Sequence, residues 1–401
     1  MSATIIILIA TVVFVVLARL KVPLGVAFLG SGFLLGILSG IPIGKISVIA
    51  VKWLISPDTL RLITIVYLLS LIGLLLGELG WLSRTVAALQ RLIPNKKISA
   101  ILPASMIGLL PMPGGAMLSA PLVKEGTKSM GISPERVTFL NFWFRHLWEY
   151  VWPLYPGIVL SVVLLDIPAG RLIASMWPLT LITIIPGFLF GFRGVEVNNR
   201  HRDSKMSISK ALGEFFITTW YIWAVIIFVL GLGVEILPVV AIAASITLLI
   251  LRQDDRSRLR HIKNAFSFKV AGLLGGVMIF KGILEDSGLV ASIMTELTSV
   301  PEALLLFAVP FSIGLITGVN SAFVGLGFPI LVPLLLDGGF DPGNYAFAYA
   351  SGFLGVLASP VHLCLILTKQ YFGAEWSGIY KYLAPSVAFV LIFAIVLLLI
   401  Q

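Results

Sequence analysis

Charge is what this chain has least of. Of its 401 residues only 12% are charged and 58% are hydrophobic, where a soluble domain carries about a quarter charged residues. With a mean hydropathy of +1.05, an ordinary soluble composition is excluded. One cysteine, Cys364, lies in an apolar stretch, so no disulfide can form within the chain and a cysteine metal cluster is excluded. No Gly-x-x-x-x-Gly-Lys-Ser/Thr loop occurs, which argues against ATP drive within this chain, and no His-Glu-x-x-His helix of a metalloprotease is present. Lys and Arg are also missing from one long region, between Lys281 and Lys369.

What is there instead is a series of apolar runs, and a bilayer needs about 20 residues per helix. They predict spans at 4–20, 23–40, 60–79, 138–165, 172–192, 215–233, 236–251, 268–284, 345–368 and 377–400. Two more runs, 98–123 and 303–336, are interrupted in the middle by Pro, Gly or Asn. The first run has no basic stretch before it and no small-residue cleavage pattern after it, so it reads as a retained span, not a signal peptide. Segments 43–55, 81–92 and 289–298 read as helices lying on the membrane surface.

The sequence also repeats itself about 207–208 residues apart: Gly80 pairs with Gly288, Pro103 with Pro310, Pro121 with Pro329, and Pro153 with Pro360. Matching Pro and Gly interruptions in two membrane halves point to a transporter's binding site. The halves are repeat 1 at 1–192 and repeat 2 at 215–401, joined by a basic linker at 193–214. Their hairpins lie at about 98–125 and 302–337, and their broken helices at about 138–165 and 345–368.

The net charge of +9 does not indicate nucleic acid, because the basic residues sit in short connections, as cytoplasmic loops do. Arg193, Arg200, Arg202, Lys205 and Lys210 form one basic loop; Arg252, Arg256, Arg258, Arg260 and Lys263 form another. Arg84, Arg91, Lys96 and Lys97 fall on the same side if the first hairpin enters and leaves by one face. The stretch without Lys or Arg holds Glu285, Asp286, Glu296, Glu302, Asp337 and Asp341 and reads as external. The first hairpin then opens inward and the second outward.

The hairpin tips, at Pro111-Met112-Pro113-Gly114-Gly115-Ala116 and Thr317-Gly318-Val319-Asn320-Ser321, cannot continue a helix comfortably. Each is followed by a span broken in turn, at Pro153–Gly157 and Ala358-Ser359-Pro360. Carbonyls ending one half-helix can coordinate a cation, and N–H groups starting the next can hold an anion. The bland reading is that Pro and Gly merely kink packed helices; four breaks at repeat-related places count against it. Arg145, His146 and Glu149 put ionisable groups on an apolar span, where they should face the interior. Arg145 and Glu149, four apart, would share a helix face. They read either as contacts for an acidic substrate with Glu149 as proton carrier, or as a buried ion pair. His362 reads as a hydrogen-bonded core histidine or as a substrate or proton contact.

At these tips and broken spans the chain resembles the ion-transporter superfamily, which includes gluconate, lactate, citrate and dicarboxylate permeases. The run Leu110–Ala116, with Asn141–Pro156, is similar to a branch grouped as unknown-function membrane family 401. The resemblance runs over nearly the whole chain through short motifs. It implies inverted repeats, a homodimer and a transport domain that moves against a fixed scaffold. One half-site would lie between Met112, Pro113, Gly114, Gly115, Ala116 and the segment Tyr155, Pro156, Gly157. The other would lie between Thr317, Gly318, Asn320, Ser321 and Ala358, Ser359, Pro360. Sodium-coupled members carry Ser-Asn-Thr at both tips; here only Asn320-Ser321 matches, which leaves proton coupling open.

The expectation is an all-α polytopic membrane protein: two inverted repeats of five transmembrane helices plus one re-entrant hairpin each, in an elevator-type fold. Its function would be secondary active transport of a small organic anion coupled to Na+ or H+. Na+ would bind at Thr317, Asn320 and Ala358, with no other cofactor. Its partners would be the solute, the bilayer and a second copy, with no nucleic acid. Its place would be a prokaryotic inner membrane, with both termini outside. An intramembrane enzyme using His146 and Glu149, or a passive anion channel, are the alternatives.

Overall fold

The computed structural model describes residues 1–110, 115–196, 206–251, 254–296, 300–336 and 338–400. Pro111, Met112, Pro113 and Gly114 of the first tip, and the charged Arg200, Arg202, Lys205, Arg252 and Asp337, lie outside the described residues, as does Thr298. Among those described, every regular element is helical. The first half contains α1 (Ala3–Arg19), α2 (Leu24–Leu38), α3 (Ile43–Leu54), α4 (Pro57–Glu78) and α5 (Trp81–Leu92). It continues with α6 (Lys96–Gly108), α7 (Ala116–Thr127), α8 (Pro134–Arg145), α9 (Pro156–Leu165) and α10 (Ala169–Gly191). The second half contains α11 (Ile208–Ala224), α12 (Ile236–Ile250), α13 (Asp255–Ala265), α14 (Phe268–Asp286) and α15 (Leu289–Glu296). It ends with α16 (Glu302–Thr317), α17 (Asn320–Leu335), α18 (Pro342–Ala358), α19 (Leu363–Phe372) and α20 (Trp376–Ile400).

Among the described residues, six stretches are long and apolar enough to cross a membrane: Pro57–Glu78, Ala169–Gly191, Ile208–Gly231, Arg256–Asp286, Pro342–Phe372 and Trp376–Ile400. By length and composition these are the helices of an integral membrane protein. α1, α2 and α12 are shorter apolar helices. The three segments expected at the surface form α3, α5 and α15. The second basic segment is a helix, α13, and not a loop, because the Asp254 carboxylate accepts from the Ser257 N–H and starts it. α11 likewise begins inside the basic linker, capped by Ser207.

The two halves follow one order. Pro134 and Pro342 open α8 and α18, 208 residues apart, and Ala169 and Trp376 open α10 and α20, 207 apart. Gly80 and Gly288 precede α5 and α15 with φ of 62° and 69°, a left-handed turn that only glycine takes without strain. Packing exchanges the halves: α2 lies on α14 and α12 on α4; α3 on α14 and α13 on α4; α8 on α20 and α18 on α10. Across one such contact, Glu296 at the end of α15 accepts from the Thr4 hydroxyl and from the Thr4 and Ala3 N–H groups at the start of α1. These bonds, the Thr4 hydroxyl foremost, hold its carboxyl below the usual range.

Within each half, the first hairpin helix crosses the broken helix almost backbone to backbone. A Cβ on Gly108 would stand 2.2 Å from the Arg145 carbonyl oxygen, and one on Gly314 would stand 2.2 Å from that of Gly352. A Cβ on Gly355 would crowd the Phe311 carbonyl in the same way. Close packing of small residues joins helices in lipid, where water expulsion cannot. Gly314→Ala is therefore expected to lower stability by about 1–3 kcal/mol, the usual range for overpacking. Gly272→Ala, with nothing within 4 Å of the new Cβ, should be neutral or slightly stabilising. Thermal unfolding of both variants in detergent checks the contrast.

Candidate functional site

Both predicted broken spans are broken. α18 stops at Ala358 and α19 starts at Leu363 around Pro360, as the sequence indicates. In the first half the break is wider than expected. α8 ends at Arg145, a 3-10 turn covers Leu147–Tyr150, and α9 starts at Pro156. Pro153 has no N–H and its ring disfavours a helical bond to the Glu149 carbonyl, which favours leaving helical geometry before it. The Trp148 indole then donates to the Ser105 carbonyl of α6 at 2.9 Å. As a result Arg145 and Glu149 do not share a continuous α-helical turn. Instead the Asn320 Nδ2 of the second hairpin donates to Glu149 Oε2.

That bond is the centre of a buried polar cluster. Tyr349 of α18 donates its hydroxyl to the Glu149 carbonyl at 3.3 Å. A Cβ on Gly157 would stand 2.7 Å from the Tyr349 hydroxyl and 3.5 Å from Asn320 Cβ. Gly318, with φ 65°, would place a Cβ 2.9 Å from His362 Cα and 3.1 Å from Ser359 Oγ. The rings of His146 and His362 meet edge to face, 5.0 Å between centroids. His146 Nδ1 lies 2.6 Å from the Phe142 carbonyl, which can only accept, so the proton is on Nδ1. Arg145, His146 and Glu149 are 4%, 2% and 5% exposed. These three side chains are buried, while Asn320 is half-buried.

Its electrostatics follow from how the broken helices end. Tyr155 donates to the Gly108 carbonyl at the end of α6. Tyr380 donates to the Ala358 carbonyl at the end of α18, at 2.7 Å. With Trp148 and Tyr349, aromatic donors thus satisfy backbone carbonyls on the C-terminal side of the breaks. The N-terminal side is treated differently. α7, α9, α17 and α19 begin after Gly115, Tyr155, Val319 and His362, and none has a side-chain cap. Elsewhere α1, α4, α8 and α11 are capped by Ser2, Ser56, Ser133 and Ser207. Uncapped α2, α3, α10, α12 and α16 begin beside exposed residues, where water serves, and α7 and α19 begin beside exposed Met117 and Val361. The starts without a side-chain cap at the breaks gather the positive ends of four helix dipoles.

The structure brings together Arg145, His146, Glu149, Tyr155, Gly157, Gly318, Asn320, Ser359 and His362. Gly115 and Ala116 join at the start of α7, where Asn141 Nδ2 donates to the Ala116 carbonyl and to Thr368 Oγ1, each at 3.3 Å. Pro156 opens α9, and buried Ser321 sits in the first turn of α17. Thr317 Oγ1 donates to the Ile313 carbonyl at 2.7 Å and accepts from the Val319 N–H at 3.3 Å, closing α16. Pro360 faces outward, exposed. Met112, Pro113 and Gly114 lie outside the described residues. Sequence reasoning missed Tyr349, Asn141, Thr368 and Cys364 as site residues. Only Asn141, an amide in an apolar run, gave a usable signal.

The profile of a family described as "Protein of unknown function (DUF401)" matches residues 1–400, and the chain belongs to that family. No curated protein matches the chain.

Tyr155→Phe keeps the ring but leaves the Gly108 carbonyl without its donor. A loss of about 1–3 kcal/mol is expected for a buried group so stranded, read from unfolding midpoints in detergent.

Proposed function

We propose that this member of the family is a secondary active transporter of a small organic anion, carboxylate-like, driven by Na+ or H+. The observation that carries the reading is that each half's hairpin rests on the other half's broken helix: α17 on α9 and α7 on α19. Exchanged packing of matched helices is what a two-fold relation between repeats produces. The distribution of Lys and Arg supports opposite orientations in the membrane, with both termini outside.

The anion reading rests on the helix ends. Their carbonyls meet tyrosine and tryptophan donors, while their N–H groups meet no side-chain cap, so the free valence at the breaks attracts negative charge. Arg145 adds a cation. Buried acceptors without a protein partner, Asn320 Oδ1 and Asn141 Oδ1, support a role in receiving a substrate hydroxyl or, with Thr317 and the Ala358 carbonyl, a Na+. Glu149 is the candidate proton carrier. Protonating it would remove the charge that strengthens its bond from Asn320, loosening the second hairpin from the first half's break.

In this mechanism α6–α9 and α16–α19 move as one block. The glycine-to-carbonyl crossings at Gly108, Gly314 and Gly355 leave no slack between each hairpin and its own broken helix. The remaining spans form the scaffold and the contact with a second copy. The expected setting is a prokaryotic inner membrane.

Asn320→Ala is expected to abolish ion-dependent uptake of carboxylates in proteoliposomes while expression holds; unchanged uptake would count heavily against the assignment. Glu149→Gln should retain substrate binding but uncouple uptake from a pH gradient if protons drive it. A sodium-driven carrier would keep its pH response. Binding is read as a rise in unfolding midpoint across a panel of carboxylates with Na+, K+ and pH varied. About 2.7 kcal/mol is expected at one hundred times Kd.

A further inference from the structure

We propose that the same cluster contains a metal site formed by His146, His362 and Cys364, which takes a thiophilic d10 cation, Zn2+ or Cu+. One nitrogen from each imidazole and the Cys364 Sγ lie within 4.8 Å of one another, and all three residues are buried. Around such an ion, with bonds of about 2.3 Å to sulfur and 2.0–2.1 Å to nitrogen, ligand atoms stand roughly 3.4–3.8 Å apart. On loading, the three side chains draw together to close that difference.

Three observations point to a ligand. His362 is 9% exposed, and its ring nitrogens make no hydrogen bond of normal geometry, their one polar neighbour being the Gly318 backbone; a buried polar group so weakly met calls for an explanation. His146 holds its Nδ1 proton against the Phe142 carbonyl, the outer bond that orients a metal-ligating imidazole and turns its other nitrogen to the ion. The Cys364 thiol is within bonding reach of His146, and an ion replaces its proton. Arg145 Nη1, 3.5 Å from His146 Nε2, must turn aside. Glu149, which interacts electrostatically with both Arg145 and Cys364, balances the added charge.

A thiolate with two imidazoles selects Zn2+ or Cu+ over Mg2+ and Ca2+. The ligands come from both breaks, His146 just after α8 and the other two at the start of α19. A bound ion therefore clamps one half to the other. This site stands on its own geometry and needs no transport activity.

The test uses full-length protein in detergent, stripped with chelator and dialysed against Zn2+ or, under reductant, Cu+. Bound metal is counted by mass spectrometry, and the ion retained identifies which of the two binds. One ion per chain is expected, with affinity falling at least about tenfold in Cys364→Ser and His362→Gln. Co2+ loading should give a thiolate-to-metal charge-transfer band that Cys364→Ser lacks. No stoichiometric ion in the wild type, or binding unchanged in Cys364→Ser, overturns the proposal. If the variants fail to fold, the wild-type Co2+ spectrum decides alone, and absence of a thiolate band overturns it.

Discussion

Lipid offers a peptide group nothing to bond with, and the interior of this chain is organised by that constraint. A helix that stops within the apolar layer exposes up to four carbonyls or four N–H groups. Each must be met by protein or by something the protein binds. Here the meeting is lopsided. Trp148, Tyr155, Tyr349 and Tyr380 reach across to carbonyls of Ser105, Gly108, Glu149 and Ala358. No side chain caps the starts of α7, α9, α17 and α19. The interior is thus finished on one electrical side and left open on the other.

The halves divide this work unequally. The first half's break carries Arg145, His146 and Glu149, while the second answers with Gly352, Gly355 and neutral Ser351. What the second half loses in charge it gains in closeness, since Gly314 and Gly355 bring α16 and α18 to backbone contact. The Asn320–Glu149 bond then joins the tightly packed half to the charged one.

Much of this was legible in the chain itself, where the cause is local. The surface helices announce themselves by amphipathic spacing. Pro156 opens α9 and Pro360 falls in the gap between α18 and α19, whereas Pro103, Pro121, Pro310 and Pro329, also paired in the sequence, lie inside continuing helices; proline alone does not set the breaks. The Gly80 and Gly288 pair revealed the common order of the halves, and both adopt the left-handed turn their residue type allows. The misjudged features have distant causes. α8 ends at Arg145 well before Pro153, where the Trp148 indole bonds the Ser105 carbonyl of α6. Arg145 and Glu149, one turn apart in the sequence, interact electrostatically but not along one helix face, and Glu149 also accepts from Asn320, 171 residues away. Tyr349 and Cys364 resembled packing residues in apolar runs, and only the crossing of α8, α18 and α19 gives them polar company. α13 was read as a loop since its basic run hides the short capping signal at Asp254.

A cradle made of peptide N–H groups has one property that a cradle of side chains lacks: genetic drift can hardly erase it. Replacing any residue at the start of α7, α9, α17 or α19 leaves the amide in place, save where proline enters. In the proposed transporter, a preference for negative charge would thereby be insulated from most single substitutions. Discrimination among anions would fall instead to a few replaceable groups, Asn141, Tyr155, Asn320 and Tyr349. Descendants of such a carrier could exchange one cargo for another while the sign of the cargo stayed fixed.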